Sequence, residues 1–127
     1  MLNKLQRYLS DVNINSNFVH GNNRLLEFST NSLNFLAEYN PDSDPTYFRI
    51  MLPRIQSEDL QLDKETLDRI MVINSTYKVG KIIRIGKSLW MSAEFFINPT
   101  ENNMLVFPRA ISLLTDMYND YFSPSHE

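Results

Sequence analysis

Two histidines, His20 and His126, are the only imidazoles in this chain, and it has no cysteine. A general base, an activated nucleophile or a soft metal site would have to be built from very little. His20 falls in an asparagine-rich stretch and His126 near the end of the chain, so both read as surface residues with no shared site. Asp42-Ser43-Asp44 offers oxygen ligands to a hard cation, but an EF-hand type of loop needs more acids and a glycine at set positions. The tripeptide reads as a turn. Glu58, Asp59, Asp63 and Glu65 gather at the start of a helical stretch, where negative charge complements the helix dipole. No nucleophile elbow, HExxH or zinc spacing occurs, and three glycines leave little for a phosphate cradle. The expectation is a chain with no catalytic residue, no metal ligand and no cofactor.

The stretch from Asp63 to Phe96 carries the strongest structural signal. Asp63 can accept the unpaired N–H groups of a first helical turn, with Leu62 and Leu67 at hydrophobic-staple spacing. Leu67, Ile70, Met71 and Tyr77 then recur at helical steps and are expected to face inward, with Asn74 on the same stripe. An amide there either satisfies backbone groups where helix meets strand or contacts a ligand. Beyond Tyr77 the period drops to two, and a β-branched run ends at Gly86-Lys87, a two-residue loop suited to a type II′ turn. That turn sets the register: Ile85 faces Ser88, Arg84 faces Leu89, Ile83 faces Trp90, Ile82 faces Met91 and Lys81 faces Ser92. One sheet face then collects Ile82, Leu89, Met91, Ala93 and Phe95, expected to be core. The other collects Lys81, Ile83, Ile85, Trp90, Ser92, Glu94 and Phe96.

Around this unit, Leu2, Leu5, Tyr8, Leu9 and Val12 form the apolar stripe of a first helix. Asn13 to Asn23 reads as loop, with at most a short extended piece at Phe18-Val19. Strands are expected at Arg24–Thr30, Leu33–Tyr39 and Tyr47–Leu52, joined through an Asn31-Ser32 turn and a Pro-Asp-Ser-Asp-Pro loop. Phe48, Ile50 and Leu52 should face inward and Tyr47, Arg49 and Met51 outward, with Pro53 ending the strand or marking an edge. Ser57–Gln61 is a polar linker. Phe107, Ile111, Leu114, Tyr118 and Tyr121 space as a last helix with Pro108 in its first turn, and the tail from Ser123 is expected to fray. The order α-β-β-β-α-β-β-α gives an α+β fold: an antiparallel sheet with helices mostly on one side.

The chain of 127 residues is expected to form a single domain over 1–127. A net charge of −3 and a pI near 5.3 argue against nucleic acid, because phosphate binding needs a concentrated basic surface. The start of the chain places Lys4, Arg7 and Asp11 among its leucines, so it has no signal-peptide core, and no membrane-spanning run occurs. A cytoplasmic protein is expected, and Asn74-Ser75-Thr76 is read as an accidental glycosylation match.

The leading helix, the runs Leu25-Leu26-Glu27-Phe28 and Leu33-Asn34-Phe35-Leu36-Ala37-Glu38-Tyr39, the Tyr47–Pro53 strand, Ile73-Asn74 before the hairpin and the closing helix together resemble the YbjN family. The fold of that family is similar to that of type III secretion chaperones. The resemblance implies a bacterial, cytoplasmic, commonly homodimeric protein that binds or modulates other polypeptides and catalyses nothing. It brings no functional residue set with it.

One surface feature follows from the hairpin register itself. Ile83, Ile85, Trp90 and Phe96 share the face away from the Asp63 helix, an apolar patch of the kind that binds partners, unless another helix covers it. We therefore expect a chaperone-like or regulatory adaptor that holds a peptide or protein partner on a sheet face or edge. The alternative is an inhibitor or immunity-type protein that blocks one enzyme through acidic loops such as Asp42–Asp44.

Overall fold

A computed structural model of the chain describes residues 2–40, 42, 47–56, 62–96 and 106–123, with the side chains of Tyr47 and Phe96 excepted. The elements are α1 (Leu2–Asp11), β1 (Ser16–Val19), β2 (Asn22–Thr30), β3 (Leu33–Asn40), β4 (Tyr47–Gln56), α2 (Lys64–Thr76), β5 (Gly80–Ile85), β6 (Ser88–Phe96) and α3 (Val106–Tyr121). The strands form one six-stranded sheet in the order β1-β2-β3-β4-β6-β5, and every pairing is antiparallel. The fold is α+β as expected, with one strand more than the sequence pattern called for.

The extra strand is β1, in the stretch read as loop. Half of it, Ser16-Asn17, is polar, but its backbone pairs along β2 from Ser16 to Val19, and Phe18, in the short extended piece the sequence allowed, packs against the core. His20 and Gly21, at φ 47° and 73°, form the two-residue loop that reverses the chain. Asn31 and Ser32 do the same between β2 and β3 at φ 54° and 62°. Positive φ at both central residues marks a type I′ turn, whose twist matches that of the strands it joins. Gly86 takes φ 60°, as a type II′ loop requires, and the β5–β6 register is the one expected, from Ile85 opposite Ser88 to Lys81 opposite Ser92.

Period-two alternation gives the sheet two unlike faces. Leu26, Phe28, Phe35, Ala37, Phe48, Ile50, Leu52, Ile82, Leu89, Met91 and Ala93 are buried in one cluster. All three helices add their buried residues to that same cluster: Leu2, Leu5 and Leu9 from α1, Ile73 from α2, and Phe107, Ala110, Ile111, Leu114, Met117 and Tyr121 from α3. Phe107 meets Phe48 edge-on and Tyr8 at a tilt, which joins α3, β4 and α1. Gly80 is buried under α3, where an added Cβ would collide with the Met117 sulfur. Pro108 lies in the first turn of α3, and the Ser123 N–H still closes its last turn onto Asp120. The rest of the tail expected to fray, 124–127, lies outside the described residues, as does the 57–61 linker.

Three expectations are corrected or sharpened. The inward face of α2 consists of Ile70, Ile73 and Tyr77, whereas Leu67 and Met71 are 45% and 65% exposed. The helix is apolar over too much of its circumference for period alone to choose a face, and contacts with β5 and α3 make the choice. Pro53 does not end β4, which runs on to Gln56, but it lies past the last β3 pairing, at Met51, so it sits where β4 is locally an edge. On its other side pairing with β6 breaks between Leu52 and Gln56, and Arg54 takes φ 51°; a residue without an N–H fits where the ladder is already interrupted. Met51 points away from the helices as expected, yet only 2% of its surface is exposed.

Candidate functional site

The face of the sheet turned away from the helices is the candidate site. Cross-strand register sets its residues in rows. Asn17, Glu27, Leu36, Met51, Ser92 and Lys81 stand opposite one another from β1 to β5. Next to them runs Leu25, Glu38, Arg49 and Glu94, and on the other side Trp90 faces Ile83. No described helix lies over these rows.

The structure brings Ile83, Ile85 and Trp90 together on this face, as the hairpin register requires. Ile85 is 42% exposed, while Ile83 and Trp90 are half-buried. Phe96 pairs with Tyr47 at the end of β6, and its side chain lies outside the described residues. The patch extends towards the middle of the sheet more than the sequence indicated, because Leu36 and the buried Met51 continue it across β3 and β4. Beside Met51, Ser92 is 3% exposed and its hydroxyl has no hydrogen-bond partner among the described residues. A buried hydroxyl left unpaired is destabilising by about 1–3 kcal/mol.

The charges on this face are uneven. Arg49 donates to Glu38 at 2.7 Å and lies 3.7 Å from Glu94, bridging two carboxylates across three strands. Lys81 turns away, its ammonium bonded to the carbonyls of Asn74 and Tyr77 at the end of α2, which has no basic residue of its own in its last turn. Glu27 is exposed and has no ion-pair partner among the described residues. It lines a shallow hollow with Asn17, Ser29, Asn34, Leu36 and Pro53, in which it is the single charged lining residue.

The sheet edges differ from the face. A two-residue loop makes Ile85 and Ser88 a hydrogen-bonded pair, so alternate residues Arg84, Ile82 and Gly80 turn their backbone groups outward. Asn74 covers the middle of that edge: its amide nitrogen donates to the Ile82 carbonyl at 3.2 Å, and its carbonyl accepts from the Ile82 N–H at 2.7 Å. Asn74 thus takes the structural role of the two the sequence allowed. The opposite edge, β1, is four residues long and bulged at Phe18/Val19. Both are edges that resist strand addition.

The other chemistry-bearing residues do not converge. Asp42 pairs with Arg24 at 2.7 Å. Asp63 caps α2 by accepting the Thr66 N–H at 2.8 Å, a bond that also lowers its pKa, and its staple partners Leu62 and Leu67 stay exposed. His20 is spent on its turn. His126, Ser43, Asp44, Glu58 and Asp59 lie outside the described residues. Among the described residues no group of three or more His, Asp or Glu side chains could hold a metal, and no helix is long and apolar enough to cross a membrane. A second hollow, lined by Asn3, Arg7, Ser10 and Asn15, like the first contains neither Asn74 nor His20.

No protein-family profile matches the chain, and no curated protein does. Among solved structures it is similar to YbjN from E. coli, a candidate transcription regulator by its description. The TM-score is 0.57 and the identity 12%, over 93% of this chain and 88% of that one. At that identity the likeness is one of fold, and the fold is YbjN-like.

Proposed function

We propose that this protein is a non-enzymatic, cytoplasmic protein-binding domain, a chaperone-like or regulatory adaptor that holds its partner on the helix-free face of the sheet. One observation carries the reading: all three described helices cover one face, and the other carries Trp90, Ile83 and Ile85 as an accessible apolar patch that continues through the buried Met51 to Leu36. An apolar strip with charged residues beside it, centred on a tryptophan, has the composition of a binding surface. The face is favoured over the edges because Asn74 occupies the β5 edge and β1 is short. The exposed α2 stripe of Leu67, Met71 and Val72 leaves a separate surface for association of two copies as a homodimer.

The test is affinity capture from the native host, comparing the wild type with Ile85→Asp and Trp90→Ala and with a Lys4→Glu control on the exposed side of α1. Proteins retained by the wild type and the control should be lost from both face variants, with circular dichroism unchanged. Retention by all four proteins would overturn the reading. A single enzyme among the proteins lost would move the assignment to an inhibitor; several unrelated polypeptides would keep it with the chaperone-like adaptors.

A further inference from the structure

The charges around the accessible end of the sheet face decide what chemistry suits it, an inference that rests on the proposed binding role. We propose that the segment held there is acidic: a stretch of partner polypeptide whose apolar side chains cover Ile83, Ile85 and Trp90, and whose aspartates or glutamates meet the cations of β5 and its turn.

The uneven charge begins in the sequence. Between Asp68 and Glu94 there is no acidic residue, although the chain has 15 and a net charge of −3. The same stretch holds Arg69, Lys78, Lys81, Arg84 and Lys87. Arg69 pairs with Glu65 within α2, whereas the other four lie on β5, in its turn and just before it, and all four are exposed. Alternation assigns Lys81 and Arg84 to opposite faces, but β5 is the outermost strand, so both reach its open margin. Lys81 extends to the carbonyls of Asn74 and Tyr77, where it keeps its positive charge, and Arg84 bends to the turn, its Nε donating to the Gly86 carbonyl at 3.0 Å. The carboxylate that β6 adds to this face, Glu94, is four residues from Trp90, roughly 14 Å at about 3.4 Å each, and lies 3.7 Å from Arg49. The accessible apolar patch therefore sits in the basic part of an acidic protein.

The arrangement along β5 gives the segment its pattern. Lys78 and Lys81 stand at the start of the strand and Arg84 and Lys87 at its end, with Ile83 and its partner Trp90 between them. Acidic residues on both sides of an apolar middle match that order. A long polyanion fits less well, because Glu38 and Glu94 lie further along the same face and repel it, and because a phosphate chain leaves Ile83 and Ile85 in water. A flat anionic lipid surface meets the exposed Ile85 and Lys87 first and covers the half-buried Trp90 and Ile83 poorly. A short polypeptide reaches all of them, and it docks on the face because Asn74 holds the β5 edge.

Trp90 is the only tryptophan, so its emission reports on this face alone. The probes are two designed peptides of about 10 residues, long enough to span β5 when extended, with the same central leucines and flanked by glutamates in one and lysines in the other. They are titrated into the full chain in about 0.15 M salt, where charges more than about 8 Å apart are largely screened. The glutamate peptide should shift Trp90 emission to the blue and bind at least about tenfold more tightly than its twin. Arg84→Glu with Lys87→Glu should remove that preference, Lys78→Glu, outside the turn, should lower it, and Lys4→Glu, the same charge change on α1, should leave it intact. Equal responses to the two peptides, a preference for lysine, or an equal loss in Lys4→Glu would overturn the acidic assignment and leave the face as a binding surface. Tighter binding of an oligothymidylate or of phosphatidylglycerol vesicles would overturn it in favour of those anions, and a blue shift with protein concentration alone would give the face to a second copy. A Trp90 emission that none of these moves would overturn the binding role as well.

Discussion

Replacing Asn74 by alanine removes two hydrogen bonds at once, both to Ile82, and leaves the outward backbone of β5 uncovered from Gly80 to Arg84. Intramolecular hydrogen bonds contribute about 0.5–1.5 kcal/mol each. Asn74 is half-buried, so water reaches part of what is vacated, and the expected loss is about 1–2 kcal/mol. For a domain of this size that lowers the melting temperature by roughly 4–8 °C. Asn74→Asp separates the two bonds: a carboxylate still accepts from the Ile82 N–H but cannot donate to the Ile82 carbonyl and repels it. It should be at least as destabilising as alanine at neutral pH. The decisive assay is amide hydrogen exchange, with the Ile82 N–H accelerated in the alanine variant and protected in the aspartate variant. Sedimentation velocity of the alanine variant should show concentration-dependent association as the freed edge pairs between molecules. Unchanged Ile82 exchange in Asn74→Ala would refute the reasoning, because the edge would then be closed by something other than this amide.

Met51→Ala should destabilise by about 2 kcal/mol in chemical unfolding, a core-like penalty on a face without a helix, because Met51 is as buried as Leu52 on the opposite side. Leu67→Lys with Met71→Lys should leave the unfolding free energy of the dilute protein within about 0.5 kcal/mol, since both side chains are exposed, and under the proposed homodimer reading sedimentation of the wild type should show a dimer that this variant loses. Tyr77 donates to Asp120 at 3.1 Å, and burial, then that bond, raises its pKa above the usual phenol value of 10.0. The folded state thus favours the neutral phenol. Its contribution is complete below the unfolded pKa and is lost as pH rises through the folded one, so Tyr77→Phe should flatten the fall in stability above about pH 10.

The hairpin was legible to the residue because two independent signals agreed on it: the alternation from Val79 onward and a glycine where only positive φ fits, now seen at 60°. The Asn31-Ser32 turn and the cap at Asp63 were legible for the same reason, being local chemistry. β1 was read only as a short extended piece at Phe18-Val19, because a four-residue strand that is half polar owes its existence to its neighbour, and nothing in Ser16–Val19 announces Phe28, Glu27 and Leu26 as partners. The rotation of α2 was missed because Leu67, Met71 and Val72 are as apolar as Ile70 and Ile73. Asn74 on Ile82 and Tyr77 on Asp120 hold the helix in its orientation, and both contacts are tertiary. Of the candidate site, the Trp90–Ile83 pair could be read and the hollow at Glu27 could not. The hollow is made by three strands and Pro53, and in sequence Glu27 is one polar residue in an alternating run.

The way the helices are placed explains why one surface remains for binding. α1 precedes β1, α2 joins β4 to β5, and α3 follows β6. α2 crosses over β6 before β5 is laid down, so β5 becomes the outer strand with α2 close enough for Asn74 to reach its backbone. The same crossover that closes the edge also places α2 on the face already occupied by α1 and α3. Three helices on one side leave the other with no layer of its own from the described chain. Met51 and Ser92 are buried on that face all the same, the Ser92 hydroxyl has no partner among the described residues, and Ile85 is 42% exposed. The contact area this face can offer a partner therefore lies towards β5, at Ile83, Ile85 and Trp90, and not at the buried centre of the sheet.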